Sequence, residues 1–307
     1  MSLAIQKEGQ TLDILEDTER GVRLEVNRIG AEMISLCRRD AVGEWRGFLH
    51  RDGDCSKPVS GWANHATVMG YYIHRLWEGA TVYRGVPMRG GNHGFLRHFP
   101  FDEPVRADGS SLTYSVPADR APEEGYPLRV GFDLTYRLVE DGVRVEFRFH
   151  NEEPELSAHV SFGLHPGFAV TNVATARVLF PAGVYRRLWA PGNFLDGRIE
   201  GLGFLGGEMP YAKEALEGSY LLDLAEVQER TFVLEDPESR RRLAFDFSEV
   251  PYLTIWSDSS DFLCIEPCWG MPDSNPPVPF EDKVGIHEIP PGGGIEAGFS
   301  VHLGFLA

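Results

Sequence analysis

An all-β fold, a large antiparallel β-sandwich built as a single domain over residues 1–307, is what the sequence predicts. Three observations point to it. Apolar residues recur at every second position from one end of the chain to the other, Gly- and Pro-containing turn signals separate these runs, and neither a βαβ alternation nor an internal repeat of about 20 to 50 residues is present.

The elements follow in order. Val22, Leu24 and Val26 alternate with polar neighbours in VRLEVN, and Val143, Val145, Phe147 and Phe149 do so in VRVEFRFH. The pattern returns at Leu243, Phe245 and Phe247 in RRLAFDF, at Leu253 and Ile255 in YLTIWS, and in the closing FSVHLGFL. Turns are marked by VEDG at 139–142, DPES at 236–239 and PPGGG at 290–294, where Pro and Gly supply the backbone angles. A helix is expected only around KEALEGSYLLDLAEV, residues 213–227, where Gly218 interrupts it. No Ser/Pro-rich linker divides the chain. The Arg240-Arg241-Arg242 run follows the DPES turn and opens a strand, so it reads as a solvated hairpin end before it reads as a phosphate site.

Composition narrows the function. A net charge of -17 works against a polyanionic partner, so nucleic acid is not expected. No run reaches the roughly 18 apolar residues of a membrane span, and MSLAIQKEGQ lacks a secretory pattern, so no membrane association and a cytoplasmic location are expected. Cys37, Cys55, Cys264 and Cys268 are too few for a disulfide framework and read as free thiols.

Three segments place ionisable residues in apolar or glycine-rich surroundings. GGNHGFLR, residues 90–97, offers Asn92, His93 and Arg97 as hydrogen-bond donors among glycines that let backbone approach a ligand. In VSFGLHPGF, residues 160–168, alternation puts Val160, Phe162 and Leu164 on one face and Ser161, Gly163 and His165 on the other, with Pro166 expected to end the strand. In DFLCIEPCWGMPDS, residues 261–274, Glu266 shares a face with Phe262 and Cys264 and ends an apolar run before Pro267. A carboxylate so placed is either hydrogen-bonded or functional, because burying it without partners is costly.

With HRLWEG at 74–79, these segments together resemble the aldose 1-epimerase (galactose mutarotase-like) family, particularly its branch with hexose-6-phosphate epimerase relatives. The resemblance implies a β-supersandwich whose concave face holds a sugar, with no metal or organic cofactor. It implies that His165, in the G-x-H-P segment, is the general acid and Glu266, in the C-[IL]-E segment, the general base of anomer interconversion. Arg75 and His93 would hold sugar hydroxyls, with Asn92, Arg97 and Trp269 completing the substrate-binding set. The partner is then a small sugar or sugar phosphate, acted on by a monomer or homodimer. Cys268 stands where the family's close relatives often carry an aromatic, so sugar stacking is either shifted by one position to Trp269 or lost, and the family's distal aspartate has no clean counterpart, Asp223 being the nearest candidate. Two other readings compete: a non-catalytic carbohydrate-binding protein of the same fold, and a metal enzyme using His93, His165 and Glu266, although the ten histidines include no H-x-H or H-x-x-x-H pair.

Overall fold

The computed structural model describes residues 3–306 except 57, 59, 108, 209–215, 217, 259 and 260. Strands take up 51% of the chain and helix 6%, in agreement with the all-β expectation. A nine-stranded antiparallel sheet has Gly294–Phe305 as its middle strand, flanked on one side by the long hairpin Val130–Val139 and Gly142–Asn151, with Gly142–Asn151 next to the middle strand. A seven-stranded sheet runs, in spatial order, Ile199–Phe204, Gly183–Leu188, Tyr220–Asp223, Tyr252–Trp256, Phe262–Trp269, Phe162–Ala169 and Ala66–Met69. A five-stranded N-terminal sheet and two small two-stranded ribbons complete the order.

The main core lies between the two large sheets. Phe147 and Phe149 of the nine-stranded sheet pack on Phe162 of the seven-stranded one at ring separations of 5.4 and 5.0 Å, and Phe245 meets Phe168 at 5.2 Å. Because strand side chains alternate, burying Phe162, Leu164 and Phe168 turns His165 to the opposite face, and burying Leu263 and Ile265 does the same for Glu266. The core thereby fixes the site.

Two expectations change. Tyr220–Asp223, inside the segment read as a helix, is a strand paired to Gly183–Leu188 and Tyr252–Trp256; residues 213–215 and 217 of that segment lie outside the described residues. Leu221 and Leu222 are both buried although they point to opposite faces, and a strand inside a sheet explains such a continuous apolar run better than one helix face does. Nor do Pro166 and Pro267 end their strands, which continue to Ala169 and Trp269. The arginine run behaves as a hairpin end: Arg240 takes the left-handed turn conformation at φ 61° and donates to the Leu306 carbonyl, while Arg242 lies 3.7 Å from Glu235. All four cysteines are free, and no helix among the described residues is long and apolar enough to cross a membrane.

Candidate active site

The two prolines that fail to end their strands shape the site. Strands Phe162–Ala169 and Phe262–Trp269 pair at Gly163 with Cys268 and again at Gly167 with Cys264, with no rungs between. Pro166 and Pro267 fall in that gap and have no amide hydrogen to give to a ladder. The register is the same on both sides of the gap, so His165 stands directly across from Glu266. Their side chains meet with Nε2 3.4 Å from Oε1. The row extends in both directions along the sheet, to Thr67 beside His165 and Thr254 beside Glu266. The two ionisable groups are therefore held by strand register, not by a loop.

Above this row lies a cavity of about 270 Å³, near the lower end of small-ligand sites. Trp62 stacks on the His165 ring at 5.1 Å, while Trp256 and His93 meet it edge-on at 5.5 and 5.3 Å. Trp62 fits because Gly167 has no side chain: a Cβ there would fall 2.2 Å from Cζ3 of the indole. Gly167→Ala is accordingly expected to expel Trp62, costing about 1–3 kcal/mol by overpacking; a lowered melting temperature with altered Trp fluorescence is the readout, and a variant unchanged in both would contradict this packing.

Electrostatics follow burial. Desolvation, with His74 and Arg97 adding to it, pushes His165 down to about 3, and desolvation pushes Glu266 well above the ordinary carboxyl range. His165 Nδ1 and Glu266 Oε2 are buried with no hydrogen-bond partner among the protein atoms. His93 is held neutral by desolvation first, then by His165 and His74. Its Nδ1 accepts from the His74 backbone N–H at 3.1 Å, which leaves the ring proton on Nε2 as a donor. His74 and His93 both adopt positive φ, at 55° and 66°, strained values for non-glycine residues. Asn64, with its amide oxygen turned to the two donors, accepts from Trp62 Nε1 at 3.2 Å and Arg97 Nη2 at 3.1 Å. Arg75 and Asn92 are exposed at the rim.

The structure thus brings together His165, Glu266, His93, Arg97, Arg75 and Asn92 around one cavity. Trp269 is a correction. It is 3% exposed and stacks on Phe162 at 5.1 Å and 8° in the core, because the strand continues through Pro267 and a residue three positions after Glu266 faces away from it. Aromatic walls come instead from Trp62 and Trp256. Asp223 does not line this cavity; Arg186 holds it at 3.1 Å. Sequence reasoning also missed Asn64, Thr67, His74, Asn193 and Ser219. Trp256 was findable, since it alternates in phase with Thr254 against Leu253 and Ile255; Trp62 and Asn64 precede the strand and carry no periodic signal. Among the described residues the potential metal-ligand cluster is His165, Cys264 and Glu266, within 4.8 Å of one another, so Cys264 takes the place expected for His93.

The sequence model of the family described as aldose 1-epimerase matches residues 14–297. This chain belongs to the aldose 1-epimerase family. As an aldose epimerase family member it is an isomerase, and solved structures share its fold. A galactose mutarotase related enzyme from Lactobacillus acidophilus superposes with a TM-score of 0.81 at 20% identity, covering 99% of this chain and 97% of that one. A galactose mutarotase-like protein from Lactobacillus casei gives 0.80 at 22%, covering 99% and 100%. Galactose 1-epimerase from Lactobacillus acidophilus gives 0.73 at 11%, covering 100% and 99%. At such identities the likeness is one of fold. No curated protein sequence matches the chain significantly. The comparisons establish the aldose 1-epimerase family and not its sugar-phosphate branch.

Proposed function

We propose that the chain acts as a single sugar-binding domain that interconverts the α and β anomers of an aldose, with His165 as general acid and Glu266 as general base. The observation that carries this reading is the buried cross-strand pair, 3.4 Å apart, each member with a polar atom left unpartnered in the cleft wall.

Ring opening requires that a base take the proton of the anomeric hydroxyl while an acid protonates the ring oxygen. Glu266 as carboxylate and His165 as imidazolium perform these two transfers and end as carboxylic acid and neutral imidazole. Both arrangements contain the same number of protons, so opening needs no exchange with solvent. Burial penalises each charge, which makes the carboxylate a stronger base and the imidazolium a stronger acid. The same burial favours the neutral pair at rest, so the reactive ion pair is first made by proton transfer from Glu266 to His165 across their 3.4 Å contact. Rotation about the C1–C2 bond then presents the other face of the aldehyde, and the reverse transfers close the ring as the opposite anomer. His93 Nε2–H and the Arg97 guanidinium are the donors for sugar hydroxyls in this scheme, with Trp62 and Trp256 against the apolar faces.

Polarimetry of freshly dissolved α-glucose and α-galactose tests the proposal. Catalytic amounts of protein are expected to speed the decay of rotation, with kcat/KM flat across the pH range where an ordinary histidine titrates. The flatness follows from the pair: a second proton needs imidazolium without its carboxylate, pushed down to about 3, and loss of the first needs carboxylate without imidazolium, pushed well up. Calorimetric sugar binding with no change in rate for any aldose would overturn the enzymatic reading in favour of a carbohydrate-binding protein.

A further inference from the structure

We propose that the row holding the acid/base pair is also a zinc site: His165 Nε2, a Glu266 carboxylate oxygen and Cys264 Sγ take one Zn²⁺ ion, and its binding switches the catalyst off. The inhibition rests on the acid/base reading above; the site itself does not.

Strand phase assembles the ligand set. Cys264 and Glu266 are two positions apart on Phe262–Trp269 and so share its cleft face, and His165 reaches the same spot from Phe162–Ala169. One ligand atom from each residue lies within 4.8 Å of the other two. His165 Nε2 and Glu266 Oε1 are 3.4 Å apart. That is the edge of a zinc tetrahedron, which bond lengths of roughly 2.0–2.2 Å to nitrogen and oxygen put at about 3.4 Å. With a zinc–sulfur bond of about 2.3 Å the edges to Sγ come to about 3.6 Å, so the thiol has roughly 1 Å at most to move.

Glu266 has an oxygen to spare for the ion. Its side chain is 1% exposed, and Oε2 has no hydrogen-bond partner among the described protein atoms. Cys264 is a free thiol, fully buried beside it. Zn²⁺ displaces two protons to solvent, one from the Glu266 carboxyl and one from the Cys264 thiol, and the carboxylate and thiolate then cancel its two charges. The row is neutral before and after, so the burial that penalises a lone charge does not oppose the ion.

The donors select the metal. A thiolate, an imidazole and a carboxylate suit zinc, whereas Mg²⁺ and Ca²⁺ take oxygen ligands. All three side chains rise from one face of the sheet, so the fourth corner points away from it, into the cavity that His165 and Glu266 line. Zinc held there occupies the atoms that exchange protons with the sugar, which makes it an inhibitor. It is a reversible one. His165 Nδ1 has no acceptor among the described protein atoms, and so lacks the support that orients the imidazole in a resident zinc centre.

Cys264 provides the test, because it does not line the cleft cavity and its replacement leaves the acid/base pair in place. Zinc chloride is titrated calorimetrically into the parent protein, Cys264→Ser and Cys264→Ala, and mutarotation of fresh α-glucose and α-galactose is followed with and without the ion. The parent is expected to bind one zinc per chain. Each variant is expected to weaken that site by at least roughly ten- to a hundredfold, the loss that follows removal of even a group that merely supports a metal ligand. Cobalt(II) is expected to give a thiolate-to-metal charge-transfer band in the parent and none in the variants. Saturating zinc should abolish the parent's acceleration, EDTA should restore it and magnesium chloride should leave it unchanged. Both variants should keep the metal-free rate and stay active at the zinc concentration that silences the parent. Zinc bound equally by all three proteins, or a parent without the cobalt–thiolate band, would overturn the site. A zinc-loaded parent as fast as the metal-free one would overturn the inhibition. A parent that binds zinc through Cys264 yet accelerates no aldose would overturn the acid/base reading and leave the site standing.

Discussion

Glu266→Gln is expected to lose the acceleration of mutarotation by roughly a hundred- to ten-thousand-fold while melting no lower than the parent protein. Gln keeps the shape and hydrogen-bonding reach of the side chain but cannot take the anomeric proton. Stability moves the other way. Burial raises the folded-state pKa of Glu266 well above its ordinary value of 4.5, so whatever stability the group contributes is full below that value and is lost as the pH rises through the raised one. Gln carries no such loss. The margin in favour of the variant should therefore widen from acid to neutral pH, which thermal melts at pH 4 and pH 8 would show alongside polarimetry. Full retention of rate would remove Glu266 from the base role.

His165→Asn is the second large effect, with a similar loss of rate expected. Asn offers a polar side chain of smaller volume between Trp62, Trp256 and His93, and it avoids the larger void of an Ala substitution. Here the sign of the pH effect reverses. Burial depresses His165 from 6.5 to about 3, so its contribution is present above the ordinary value and lost as the pH falls through the depressed one. Relative to the parent, the Asn variant should gain stability toward acid pH. Because acid and base act within one proton-conserving step, the double variant is expected to be about as slow as either single one. Additive losses in a single-turnover comparison would separate the two groups into independent roles.

The sequence carried the pair through alternation. Phe162 and Leu164 on one side, and Leu263 and Ile265 on the other, announce which face must be polar, and His165 and Glu266 stand out there because ionisable groups are expensive in that setting. What phase alone could not supply was where the strands stop. Pro166 and Pro267 read as terminators of a central strand, yet only the pairing between these two strands lapses where they sit, while Pro166 stays paired with Ala66 and Pro267 with Leu253, and the strands run on. That one difference carried Trp269 from the cleft into the core. The segment at 213–227 misled for another reason: a short apolar run that is buried on both faces has no period by which a strand can be told from a helix. Trp62 and Asn64 carry no periodic signal because a residue that precedes a strand is placed by what it packs on, for Trp62 the bare Cα of Gly167 and for Asn64 the Trp62 and Arg97 donors. The rim residues Asn193 and Ser219, at φ 73° and 61°, owe their positions to turn geometry in the same way.

The interrupted rung between Phe162–Ala169 and Phe262–Trp269 also bears on how the molecule comes to be active. His165 and Glu266 are separated by about a hundred residues of chain, and the contact between them exists only after two distant strands have found each other and their correct register. Loop-closure entropy must be met before that contact gives anything back, which places it among the slower pairings of a β protein. Neither strand holds a working half-site of its own. The contact between the proposed acid and base is thus a property of the paired sheet, and a slip of one residue in register would turn one of the two to the opposite face.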